Sequence, residues 1–114
     1  MSNEIRQGVH LRFFMHAKAR HGGMLLSEWL LEQAKKRRLA GGSVFRAIAG
    51  FGRHGVLHEE QFFELADDLP VKVEFLLGEA EAEQLLEAIR ALHPDLVYAR
   101  SGVEFGVLGG EPTM

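Results

Sequence analysis

The chain has no cysteine, only three prolines, one tryptophan and one tyrosine in 114 residues. Without a thiol there is no disulfide staple, no thiolate metal site and no cysteine nucleophile. That absence fits a reducing compartment. Long apolar runs are missing too, since none approaches the roughly 20 residues that span a bilayer. The start, Met1-Ser2-Asn3-Glu4, brings an early acid and no apolar stretch. No signal peptide is therefore expected, and a cytoplasmic protein is. Charge of one sign is scarce: 13 Lys and Arg against 16 Asp and Glu leave a formal −3. Nothing in that balance points to nucleic acid as a partner.

What is present suffices for one core. The length is that of one ordinary domain, and the apolar content is that of a globular protein. A domain of this size buries roughly two thirds of its unfolded surface, so assembly would add useful burial. A single domain over residues 1–114 is expected, with its core at about 9–107 and a Gly- and Pro-containing tail at 108–114.

Periodicity sets the order of elements. Val9, Leu11, Phe13 and Met15 alternate with His10, Arg12, Phe14 and His16, which predicts a half-buried strand. Lys18 to Gly23 reads as a loop. Leu26, Leu30 and Ala34, with Leu25 and Trp29 alongside, predict a helix over 24–39. Its end, Lys35-Lys36-Arg37-Arg38, places cations at unpaired carbonyls, and Gly41-Gly42 is expected to stop it. Residues 43–51 are apolar on both alternating sides, which predicts a central strand covered on both faces. A polar, glycine-containing loop is expected over 52–60, and Gln61 to Leu65 fits either a short strand or a helical turn. Val71, Val73, Phe75 and Leu77 predict another strand, entered at Pro70. Leu85, Ile89 and Leu92 seam a second helix over 79–92, ended at His93-Pro94. A last strand starts at Leu96 to Tyr98, with a bulge or turn expected at Gly102.

The resulting order is β-α-β-β-α-β. It predicts an α+β fold of ferredoxin-like type, a four-stranded antiparallel sheet with two helices on one face. Phe14 and one side of residues 43–51 then leave apolar groups on the helix-free face. A monomer rarely exposes a large apolar patch, so a homo-oligomer is expected to bury it.

The candidate chemistry lies just after residue 50. Gly50, Gly52 and Gly55 allow backbone N–H groups to approach an anion or to adopt positive φ. Arg53 offers a planar fork for phosphate or carboxylate, and His54 adds a donor that titrates near neutrality. A strand end, a tight turn and a solvated arginine would account for the same residues. His54 and His58 are four apart and would share a metal only in a helix. His10 and His16 are too far apart in one strand to do so. No nucleophile with a His–Asp partner and no carboxylate dyad is evident, so no catalytic residue is expected. The run from Lys35 to Arg38 reads as a solvated helix end, without the interleaved aromatics of a base-stacking surface.

Gly41-Gly42-Ser43-Val44-Phe45-Arg46-Ala47-Ile48-Ala49-Gly50-Phe51-Gly52 resembles the signature of the PII-like family catalogued as domain of unknown function 190. His58 and Asp68-Leu69-Pro70-Val71 match its following segment. The likeness runs from about Val9 to Val107 and departs at Ala47, where the family tends to have glycine. It departs again over Ala17 to His21, where a Gly-Glu pair is usual. Gly50-Phe51-Gly52-Arg53 with Gly55 is also similar to the root of the long PII T-loop. The resemblance implies a homotrimer with ligand clefts between subunits beside this loop. It implies regulation by a small-molecule effector, an adenine nucleotide or another anion, and not catalysis. Gly50, Gly52, Arg53, His54 and His58 are the ligand-binding residues it suggests. A membrane transporter or other regulated protein would read the loop over 52–60. His54 stands where PII has a glutamine that helps hold metal and 2-oxoglutarate, which argues against that ligand pair. The loop has no tyrosine for nucleotidylation, and Leu76 to Glu81 lacks the PII phosphate loop. The alternative is a divalent-metal-binding trimer similar to CutA proteins, which share the ferredoxin-like plan.

Overall fold

Strict alternation makes Glu4–His16 (β1) a strand with two unlike faces. The computed structural model describes residues 4–51, 57–59, 69–92 and 95–109. Val9, Leu11, Phe13 and Met15 of β1 are buried. β1 lies between two antiparallel neighbours, Pro70–Leu77 (β7) and Val97–Val107 (β8), and Ser43–Arg46 (β4) closes the far side of β7. The order β4-β7-β1-β8 is that of the ferredoxin-like sheet, four-stranded and antiparallel. Leu26–Lys36 (α1) and Glu79–Leu92 (α2) both cover the face carrying Leu11, Phe13, Val73 and Phe75. Leu30 of α1 and Leu85 of α2 have no exposed surface there, and Phe13 meets Phe75 edge-on.

The helix boundaries follow from local hydrogen bonding. α1 starts two residues later than its periodicity suggests, because Met24–Leu25 (β3) pairs with Arg20–His21 (β2) in a small hairpin. Gly22 and Gly23 turn it with φ of 56° and 85°, values that suit a tight hairpin turn. The helix ends at Lys36, ahead of the expected Leu39. Arg38 takes the left-handed φ of 58°, and Leu39 N–H returns to the Ala34 carbonyl. Gly41-Gly42 therefore does not stop the helix. Gly42 is required by packing, since a Cβ there would lie 2.4 Å from the Phe75 ring. Arg37 donates to the Gln33 carbonyl at 2.9 Å, the expected use of a cation at a helix end. At the start of α2, Glu81 accepts from the Gly78 N–H at 2.8 Å, the reciprocal half of a capping box. Leu92, expected in the α2 seam, is 53% exposed at the last turn.

Two further expectations are corrected. β8 runs without a bulge, in one register from Glu4↔Val107 to Phe14↔Val97, and Gly102 sits in the ladder opposite Val9. Residues 43–51 are not a central strand. β4 is the sheet edge and all four of its residues are exposed. The strand signal at Ser43–Phe51 is interrupted at Ala47 and Ile48. Ala47 keeps one bond, N–H to the Pro70 carbonyl at 2.9 Å, and Ala49–Phe51 (β5) then pairs with Leu57–Glu59 (β6) as a separate ribbon. Apolar residues on both sides are the same pattern in a central strand and in an edge whose cover is not its own chain. The expected helix end at His93-Pro94 and the segment 61–65 lie outside the described residues.

Candidate functional site

The β5–β6 ribbon lies where β4 ends and β7 begins. Its ladder pairs Ala49 with Glu59, Gly50 with His58 and Phe51 with Leu57. Two of the residues nominated from sequence, Gly50 and His58, thus face each other across one ladder rung. Gly52, Arg53 and His54 lie outside the described residues, as does most of the loop over 52–60. Gly50 does not adopt positive φ, so the conformational reason offered for it does not hold. A Cβ there would lie 3.3 Å from the Pro70 ring, a tight but not forbidding contact. Ala47, where the family signature has glycine, sits at the interruption between β4 and β5. His16, paired with Pro70 at the end of β1, borders the root of the ribbon.

His58 lies in a strand. The helical spacing that would let His54 and His58 share a metal is therefore not met at His58. His10 and His16 share the helix-free face of β1 six residues apart, about 20 Å at strand rise. Among the described residues no group of three His, Asp or Glu side chains comes together to hold a metal ion. The acids of α2 have structural partners: Glu81 caps the helix, Glu83 binds Arg100 at 2.5 Å and Glu87 pairs with Arg90. Arg100 is thereby committed to the helix side of the sheet. Trp29 is buried, with the His21 ring tilted against it at 4.1 Å between ring centroids.

A second constellation occupies the middle of the sheet face that carries no helix among the described residues. Cross-strand register places His10 beside Leu76 and Ser101, and Arg12 beside Glu74 and Ala99. The Glu74 carboxylate pairs with His10 Nε2 and lies 3.7 Å from Lys72 Nζ. The His10 bond, aided by Lys72 and opposed by burial, holds the Glu74 carboxyl below its ordinary value. Arg12 Nη1 lies 2.8 Å from His10 Nδ1, and Nη2 reaches Ser101 Oγ at 3.4 Å. Apolar residues rim this network: Phe14, Val97, Phe45 and Leu76 are each between 37% and 48% exposed. Lys72 lies over the Phe45 ring at 5.0 Å. The network is absent from the sequence reading because His10 and Glu74 are 64 residues apart. Pairing the polar sides of the two clearest strands would have revealed it.

Comparison with known proteins gives a consistent result. The family model DUF190, described as Uncharacterized ACR, COG1993, matches residues 8–105. A UPF0166 protein of Aquifex aeolicus (strain VF5) is 38% identical over 87 residues, which span 76% of this chain and 83% of that protein. Among solved structures, CPII from Thiomonas intermedia K12, a nitrogen regulatory PII-like protein, is similar in two states. Bound to ADP, AMP and bicarbonate, it has a TM-score of 0.63 at 14% identity, with 91% of each chain covered. Its apo form has a TM-score of 0.61 at 13% identity, covering 94% of this chain and 100% of that one. At such identity the likeness is one of fold, and the fold is PII-like. No helix among the described residues is long and apolar enough to cross a membrane.

Proposed function

The chain belongs to the DUF190 family, and on that premise we propose that it is a non-enzymatic, PII-like signalling protein of the cytoplasm. It acts as one domain, assembles as a homotrimer and binds a small anionic ligand, an adenine nucleotide, in clefts between subunits. The observation that carries this reading is the β5–β6 ribbon, rooted on Pro70 with Gly50 opposite His58, in a fold shared with CPII. CPII structures hold ADP with AMP or bicarbonate, which supports the nucleotide class. Gly50, Gly52, Arg53, His54 and His58 line the ligand. Arg53 supplies the fork for phosphate, since a guanidinium donates to two oxygens at once. Ligand binding changes the order of residues 52–60, and a partner protein, a membrane transporter or another regulated protein, reads that change.

Titration calorimetry with ATP, ADP and AMP tests the reading. At least one nucleotide should give saturable heat, Arg53→Ala should abolish most of it, and the nucleotide should be recovered unhydrolysed. No heat with any of the three overturns the nucleotide assignment, and steady turnover overturns the non-enzymatic one.

A further inference from the structure

On the reading that copies of this chain associate through the helix-free sheet face, we infer that the Arg12–His10–Glu74 relay at its centre makes that association proton-linked. Assembly is favoured while His10 is neutral and weakened when it takes up a proton.

The occupant of the face is a second copy. The four strands offer a surface on the order of 600 Å² at ordinary strand rise and spacing. That approaches the roughly 800 Å² that each partner gives a standard interface. Phe14, Val97, Phe45 and Leu76 supply an exposed apolar rim, and Arg12, Lys72 and Glu74 give the centre both signs of charge. A self-complementary surface needs both, because the same patch meets itself or its symmetry mate. A lipid surface is disfavoured by the same charged centre.

Proton linkage follows from hydrogen-bond roles. A guanidinium donates and cannot accept. With Arg12 Nη1 at 2.8 Å, His10 Nδ1 must therefore be the acceptor. The ring proton then sits on Nε2 and is donated to Glu74. Neutral His10 has both nitrogens satisfied and enters an interface at little cost. A further proton can go only to Nδ1, where the new N–H points at a group that donates. The Arg12 bond is lost, and each copy gains a positive charge on a face where Arg12 and Lys72 already outnumber the Glu74 carboxylate that pairs with His10. Excluding water strengthens that repulsion.

Among the described residues the groups facing His10 are few. From β7 they are Glu74, Lys72 and the uncharged Leu76; from β1 they are Arg12 and, one further rung away, Arg6, which lies over the Phe105 ring at 5.5 Å. From β8 they are Ser101, Ala99 and Val103, and β4 contributes Ser43 and Phe45. None of those β8 and β4 residues titrates as an acid or base near neutrality.

Sedimentation of the full chain at about pH 8 and about pH 6 tests the inference. The association constant should fall by about tenfold or more in the acid sample, with circular dichroism unchanged. His10→Gln keeps a donor and an acceptor but cannot be charged, so it should assemble alike at both values. Equal assembly of the native chain at both values overturns the linkage, as does an undiminished pH response in His10→Gln. Histidine nitrogen NMR at the higher value should show His10 protonated on Nε2, and the opposite tautomer overturns the relay whatever the assembly state. A monomer at the higher value instead overturns the association reading itself, which keeps the two failures apart.

Discussion

β1 supplies two surfaces from one alternating sequence. Its odd positions, Val9, Leu11, Phe13 and Met15, close the core under two helices, while its even positions, His10, Arg12, Phe14 and His16, line the helix-free side. The covered positions of β1 are uniformly apolar, and a loss there opens a cavity. The other face has a polar centre with an apolar rim, a composition that suits a surface covered only after folding. The difference separates what the subunit needs in order to fold from what it needs in order to meet another copy.

Substitutions on the two faces of β1 test that separation most directly. Leu11→Ala, at a position with no exposed surface, should destabilise the chain by about 2–5 kcal/mol in denaturant titration, because the cavity collapses only partly. A loss below that range would mean that the helices repack over β1.

An intermediate effect is expected at Glu74, where the two faces differ in charge. Its folded carboxyl is held below the ordinary Glu value, so its contribution is complete above that value. The contribution is lost as pH falls through the lowered folded value. Glu74→Gln should therefore cost about 1 kcal/mol at neutral pH. Thermal melts of variant and native chain should converge in strong acid, and a gap that persists there would assign the cost to packing.

The smallest effect on stability is expected at Phe14→Ser. With the side chain 40% exposed, unfolding of the dilute chain should change by no more than about 0.5 kcal/mol. Sedimentation should nevertheless show weakened self-association. A large loss of stability with assembly intact would erase the division between the faces.

Much of the fold was legible because β1, β7 and α2 carry unambiguous periods. Where Val71 to Leu77 alternates, burial alternates with it. The segment 43–51 was misplaced for a physical reason. Its apolar residues on both sides suit burial by any cover, and the sequence does not say whether that cover is its own chain. Gly50 was nominated for close approach to an anion or for positive φ, and it does not take positive φ. At Gly102 glycine suggested a bulge, yet an unbroken ladder accepts it. Of the candidate site, the family signature named residues on both arms, and only pairing showed that Ala49–Phe51 and Leu57–Glu59 form a ribbon with Gly50 opposite His58.

By itself the sequence determined the local periods, the two helices, the β-α-β-β-α-β order and the residues offered to each side of a strand, because these depend on neighbours a few positions away. The tertiary structure decided that β1 and β7 lie at the centre and β4 at the edge. It also set the register that joins His10 to Glu74 across 64 residues. Strand order and register depend on which distant segments bury one another, and that is settled only when the whole sheet closes under its helices.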